Sequence, residues 1–148
     1  MFRPSKILVP TDMSSHSDKA VRQAIQIARQ FDAELFFIHV IPQAVQQCTV
    51  DYCIDANLVP QLQEQLFESA RKAIQQQVEK FPDAKDIKFT TDVKTGVPHD
   101  RILQEEEERG IDLVVISSLG TTGLAKYLIG SVARHVLLGS KCSVLLIK

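Results

Sequence analysis

The chain has 148 residues, 45% hydrophobic and 24% charged, with a formal net charge of −1. That length suits one domain with a real core, and the near-neutral charge supplies no basic field to hold nucleic acid. No apolar run approaches the length of a membrane span. The opening stretch MFRPSKILVPTD lacks the apolar segment of a signal peptide, so a cytoplasmic location is expected.

Lys6–Pro10, KILVP, is a short apolar run bounded by Pro4 and by Pro10-Thr11-Asp12, and it predicts a strand buried on both faces. The cluster Ser14–Asp18 predicts a helix start, with Asp18 three residues after Ser15 as in a capping box. Ala20, Val21, Ala24, Ile25, Ala28 and Phe31 then follow helical spacing. Glu34–Ile41 predicts a second strand, and its His39 is expected to be a hydrogen-bonded residue near the strand end rather than a catalytic one.

Pro42–Pro60 is long for a loop, and such loops commonly act as lids or binding segments. It carries Cys48 and Cys53. With Cys142 these are the three cysteines, too few and too irregularly spaced for a disulfide framework or a metal site. A helix is predicted from about Gln61 to Lys80, with Leu62, Leu66, Ala70, Ala73, Ile74 and Val78 inward and a solvated glutamine-rich face; Pro82 stops it. Ile87–Val93 alternates as a strand does, and Gly96-Val97-Pro98 predicts a turn into a helix ending at Arg109, capped by Gly110. The run Glu105–Glu108 is expected to be a solvated face, because consecutive helical residues point in different directions.

The organising stretch is Leu113–Ser131, an apolar strand-like run, then a loop rich in small residues, then Gly130-Ser131 opening a helix to about Leu138 that Gly139 stops. Glycines let backbone N–H groups approach a phosphate, and the unpaired N–H groups of a helix start point at it; Ser131 can cap that helix or bond a phosphate oxygen. Neither GxxxxGKS/T nor GxGxxG is present, which argues against a P-loop or a dinucleotide site. Ser143–Ile147 predicts a last strand. The alternation of strands and helices predicts an α/β fold, a five-stranded parallel sheet with helices on both faces in one domain over residues 1–148.

In such a sheet a ligand binds beyond the carboxyl ends of the strands, where strand order reverses. If the first and fourth strands are central neighbours, Pro10-Thr11-Asp12, Val40-Ile41, and Ser117–Gly120 with Gly130-Ser131 meet there. An apolar wall, a carboxylate and an N–H-lined cradle match the base, ribose and phosphates of a nucleotide.

With these residues in view, the chain resembles the universal stress proteins over nearly its whole length. KILVPTDMS, VKTGVPHDRIL and the segment IDLVVISSLGTTGLAKYLIGSVARHVLLGSKCSVLLIK match that family's opening strand, mid-chain helix entry and C-terminal signature in order. The resemblance implies a Rossmann-like, adenine nucleotide alpha hydrolase-like sheet of strand order 3-2-1-4-5. Members that bind ATP carry Gly-x2-Gly-x9-Gly-Ser/Thr. Gly120, Gly130 and Ser131 take the last three positions, whereas Ser117 stands at the first glycine and Leu119 where members often have His or Arg. A serine is costly there only if the backbone requires positive φ; otherwise its hydroxyl is available to a phosphate.

The resemblance further implies that Asp12 meets the ribose and Val40 the adenine, with Pro10, Thr11 and Val132 beside them. It implies ATP as ligand, with Mg²⁺ where hydrolysis occurs, and a homodimer paired through Ser143–Ile147. No catalytic residue is implied. The function expected is a cytoplasmic, ATP-binding regulator of stress response, with slow hydrolysis at most. The alternative is a nucleotide-free dimeric interaction module of the same fold, suggested by Ser117.

Overall fold

The computed structural model describes residues 1–43, 57–120 and 129–148. The elements are β1 (Lys6–Pro10), α1 (Ser15–Phe31), β2 (Glu34–Pro42), α2 (Val59–Glu79), β3 (Phe89–Gly96), α3 (Pro98–Arg109), β4 (Leu113–Ser117), α4 (Ser131–Gly139) and β5 (Ser143–Ile147), with a 3₁₀ turn at Pro82–Asp86. The strands form one parallel sheet ordered β3-β2-β1-β4-β5. This is the expected α/β architecture and strand order.

Successive strand residues point to opposite faces, so each central strand feeds two cores. Ile7, Val9, Leu35, Phe37 and Val115 pack with α1 and α2, whereas Leu8, Phe36, Ile38, Val114 and Ile116 pack with α3 and α4. Burial on both faces explains why β1, β2 and β4 are nearly continuous apolar runs. Strand β1 pairs with both β2 and β4, so chain order reverses at the β1/β4 boundary.

Several local expectations are corrected. The N-cap of α1 is Ser14, not Ser15; its Oγ accepts from Ser17 N at 3.3 Å. Asp18 instead accepts from Gln77 Nε2 at 2.8 Å and pairs with Lys80 at 3.1 Å. On α2, Leu62 is exposed, while Gln77, on the face expected to be solvated, is buried. Strand β3 starts two residues later than expected and runs on to Gly96, because it follows β2 in register up to Pro42↔Gly96.

The acidic run on α3 is not wholly solvated either: Glu105 and Glu106 are buried. Glu105 closes a ring of charges across α3 and β3, with Arg109 at 2.5 Å and Lys94 at 3.4 Å, both of which also reach Asp92. The bond to Asp92 and its charge raise the Lys94 pKa above the usual lysine value, and the bond to Glu105 raises that of Arg109. Glycine does act as expected at the end of α3, where Gly110 takes φ 63°. Helix α4 extends through Gly139 and its N-cap is Gly130, so Ser131 is its first helical residue and not its cap.

Candidate functional site

The C-terminal ends of β1, β2 and β4 surround a cavity of about 410 Å³, a size that suits a small ligand. Pro10, Thr11, Asp12, Val40, Ser117, Leu119, Gly120, Gly130, Ser131 and Val132 line it as expected, whereas Ile41, also expected there, points into the core on the other face of β2. Cys48, Cys53 and most of the Pro42–Pro60 loop fall outside the described residues, as does the stretch between Gly120 and Ile129.

The turn from β1 into α1 places Asp12. Thr11 N donates to Ile38 O at 2.9 Å, which holds the end of β1 against β2. Met13 then takes φ 62°, a left-handed conformation uncommon for a side chain of its size. Two hydrogen bonds support it: Met13 N donates to Thr11 Oγ1 at 3.0 Å, and Ser14 N donates to Asp12 Oδ1 at 3.0 Å. Ser14 Oγ also donates to Asp12 Oδ1, at 2.5 Å, so the carboxylate is oriented by the turn that presents it.

Beneath this turn lies a buried polar cluster. Thr11 Oγ1 donates to Gln77 Oε1 at 2.6 Å, and Gln77 Nε2 donates to Ser17 Oγ at 2.9 Å and to Asp18 Oδ1 at 2.8 Å. Because a carboxylate only accepts, the bond to Asp18 fixes which end of the Gln77 amide is nitrogen. Helix α2 therefore braces the β1–α1 turn through hydrogen bonds as well as packing.

The opposite lobe is backbone. Gly130 N donates to Ser118 O at 2.7 Å, and a β-carbon on Gly130 would stand 3.3 Å from that same oxygen. The loop after β4 is thus closed at its base by a contact that leaves almost no room for a side chain. The first bond within α4 runs from Arg134 N to Gly130 O at 2.9 Å. The N–H groups of Ser131, Val132 and Ala133 precede it and have no intrahelical acceptor, which makes the helix start electropositive.

Ser117 has no positive φ, so serine carries no backbone penalty there. Its hydroxyl donates to Leu119 O at 2.8 Å, which ties the loop to itself rather than offering it outward.

Sequence reasoning missed part of the wall. Pro98, Ile102, Ile116 and Ala133 give one side of the cavity an apolar surface, and Ser17 and His39 contribute to the polar side. His39 makes the hydrogen bond expected of it, Nδ1 to Thr11 O at 2.8 Å. Its place on the cavity wall could have been foreseen only from its position at the C-terminal end of a central strand. Among the described residues no cluster of His, Cys, Asp or Glu is arranged to hold a metal ion, and no helix is long and apolar enough to cross a membrane.

The chain is similar in sequence and fold to known proteins. Universal stress protein MJ0531 of Methanocaldococcus jannaschii is 34% identical over 148 residues, covering 97% of this chain and 81% of that protein. The solved structure of MJ0577, from the same organism, superposes with a TM-score of 0.81 at 26% identity, covering 97% of this chain and 95% of that one. A universal stress protein solved in complex with cAMP shares the fold, with a TM-score of 0.65 at 23% identity over 99% of this chain and 98% of its own. The model of the universal stress protein family matches residues 4–148, and the chain belongs to that family.

Proposed function

We propose that the cavity binds an adenine nucleotide, ATP in the first place, and that the protein acts as a homodimeric cytoplasmic regulator in stress response. The observation that carries this reading is the convergence of the two glycines and Asp12. A β-carbon on Gly120 would meet Asp12, and one on Gly130 would meet the Ser118 carbonyl. A cradle that a single carbon atom would fill, beside a helix start with unpaired N–H groups, suits a phosphate chain. The apolar wall of Val40, Ile102 and Val132 suits the base, and the oriented Asp12 carboxylate suits ribose hydroxyls. Another protein of this fold binds the adenine nucleotide cAMP.

Mg²⁺ would arrive with the phosphates, because Asp12 is the sole carboxylate on the cavity wall among the described residues and Mg²⁺ is commonly held by one or two carboxylates plus substrate phosphates. The reading is of a binding site that signals by its occupancy, with slow hydrolysis at most.

The homodimer would form through β5. That strand pairs with β4 along one edge, and its apolar residues Val144–Ile147 are only partly buried in the monomer. Half-buried apolar edge strands invite pairing with another chain.

The test is to denature purified protein, identify any released nucleotide by chromatography, and titrate ATP-Mg²⁺ into the stripped protein. Stoichiometric adenine nucleotide or micromolar affinity supports the reading. An empty protein inert to millimolar ATP overturns it and moves function to the dimer's surfaces, the alternative suggested by Ser117. Light scattering on a size-exclusion column tests the dimer in the same preparation.

A further inference from the structure

His39 sits on the face of β2 that carries Leu35, Phe37 and Ile41, and its neighbour Val40 points to the other face. The cavity straddles this strand end, with His39, Thr11 and Ser17 on its polar side. The Thr11 carbonyl can only accept a hydrogen bond, so the neutral His39 ring carries its proton on Nδ1 and leaves Nε2 as an acceptor.

That carbonyl is itself fixed. Thr11 N–H is bonded to Ile38 O, and its hydroxyl donates to Gln77 and accepts from Met13 N. No described residue partners Nε2, yet no buried side-chain nitrogen or oxygen among the described residues lacks a partner. Among the described residues Nε2 is therefore open, on a residue that lines the cavity.

We propose that His39 is a specificity-determining residue: held as the Nδ1–H tautomer by Thr11, it presents Nε2 to the cavity as an acceptor for an O–H or N–H donor of the bound nucleotide. This rests on the nucleotide reading above and deepens it. A nucleoside carries such donors at the ribose 2′- and 3′-hydroxyls and at the 6-amino group of adenine. A base with a carbonyl in place of that amine would set two acceptors against each other, and mismatched buried polar groups are what make such sites selective. Because the ring is fixed before any ligand arrives, the discrimination needs no rearrangement.

The experiment compares ATP with three analogues, each lacking one donor: 2′-deoxy-ATP, 3′-deoxy-ATP and purine riboside triphosphate. Each is titrated by calorimetry into the wild type and into His39→Asn. The Asn amide nitrogen reaches about where Nδ1 stands and can keep the Thr11 bond, while the acceptor at Nε2 is lost. For a single hydrogen bond, one analogue should bind the wild type about tenfold more weakly than ATP, and that ratio should fall to about one in His39→Asn. The analogue affected identifies the donor. Ratios that are the same in both proteins overturn the role of His39 while leaving nucleotide binding intact. A wild type that binds no nucleotide at millimolar concentration overturns both readings.

Nitrogen-15 spectra of the wild-type histidines supply a second measurement should His39→Asn not fold. The Nδ1–H tautomer is expected for His39, with its Nε2 resonance moving on addition of ATP. An Nε2–H tautomer, or a resonance that ignores ATP, overturns the proposal.

Discussion

Gly120 and Asp12 pack against each other on the cavity wall, and a β-carbon on Gly120 would stand 2.9 Å from Asp12 Oδ2. The carboxylate cannot swing aside at no cost, because its other oxygen is bonded to both Ser14 N and Ser14 Oγ. Gly120→Ala should therefore displace the group proposed to hold the ribose without touching the core. We expect ATP affinity to fall by about tenfold or more, since a hydrogen bond to a charged group contributes about 1.5–3 kcal/mol. The melting temperature should change by no more than about two degrees. Calorimetry and a thermal melt on the same sample check both. Undiminished affinity would mean that Asp12 takes no part in binding.

Glu106 joins α3 to the turn before β5. Its carboxylate accepts from Ser140 Oγ at 2.7 Å, Lys141 N at 2.7 Å and Cys142 N at 3.0 Å. Glu106→Ala leaves three part-buried donors without this acceptor and should cost about 1–3 kcal/mol. Glu106→Gln should cost much less: the amide oxygen can serve both backbone N–H groups, and the amide nitrogen can donate to the Ser140 hydroxyl. Urea denaturation of the two variants gives the comparison. Equal losses would show that the negative charge, and not the geometry of acceptance, holds this turn.

Glu106 also shows where sequence reading stops. A helix-local view of Glu105–Glu108 sees four acids pointing in successive directions and predicts solvent. Two of them are buried because their partners come from β3 and from the α4–β5 turn, distant in the chain. The end of β3 has the same cause, since Lys94 and Thr95 belong to the strand through their pairing with Val40 and Ile41, not through their own hydrophobicity. By contrast β1, β2 and β4 were legible because burial on both faces writes itself as an apolar run. The cavity was legible because strand order alone puts Asp12, Val40 and Gly120 at one end of the sheet. His39 was not placed there, nor Gln77 in the polar cluster beneath it, because a single polar residue does not reveal from sequence which face it occupies or what it bonds.

Asp32 terminates α1 in the left-handed region, at φ 56° and ψ 42°. Its own N–H and that of Ala33 both donate to Ala28 O, the arrangement in which glycine is the favoured residue. Asp32 is exposed, and its negative charge sits at the negative end of the helix dipole. Asp32→Gly removes both penalties and should stabilise the fold by about 0.5–1 kcal/mol. Asp32→Asn removes the charge alone and should fall between. Urea midpoints rank the three proteins, and a destabilised Asp32→Gly would contradict the strain argument.

Cys142 is the cysteine whose surroundings the structure describes, at the entrance to β5. Burial pushes its thiol pKa up, and the Glu106 carboxylate adds to the rise, while the Ser140 hydroxyl opposes it. The thiolate is the nucleophile, so a raised pKa means less of the reactive form at neutral pH. Alkylation of Cys142 by iodoacetamide at pH 8 should be slower in the folded protein than in urea, because less of the thiol is ionised. Peptide mapping by mass spectrometry keeps Cys48 and Cys53 separate. Glu106→Gln removes the nearby charge, so it should speed Cys142 alkylation while leaving the fold in place. No acceleration in that variant would show that the Glu106 charge does not slow the thiol, and a folded protein that reacts as fast as the unfolded chain would remove burial as a cause as well.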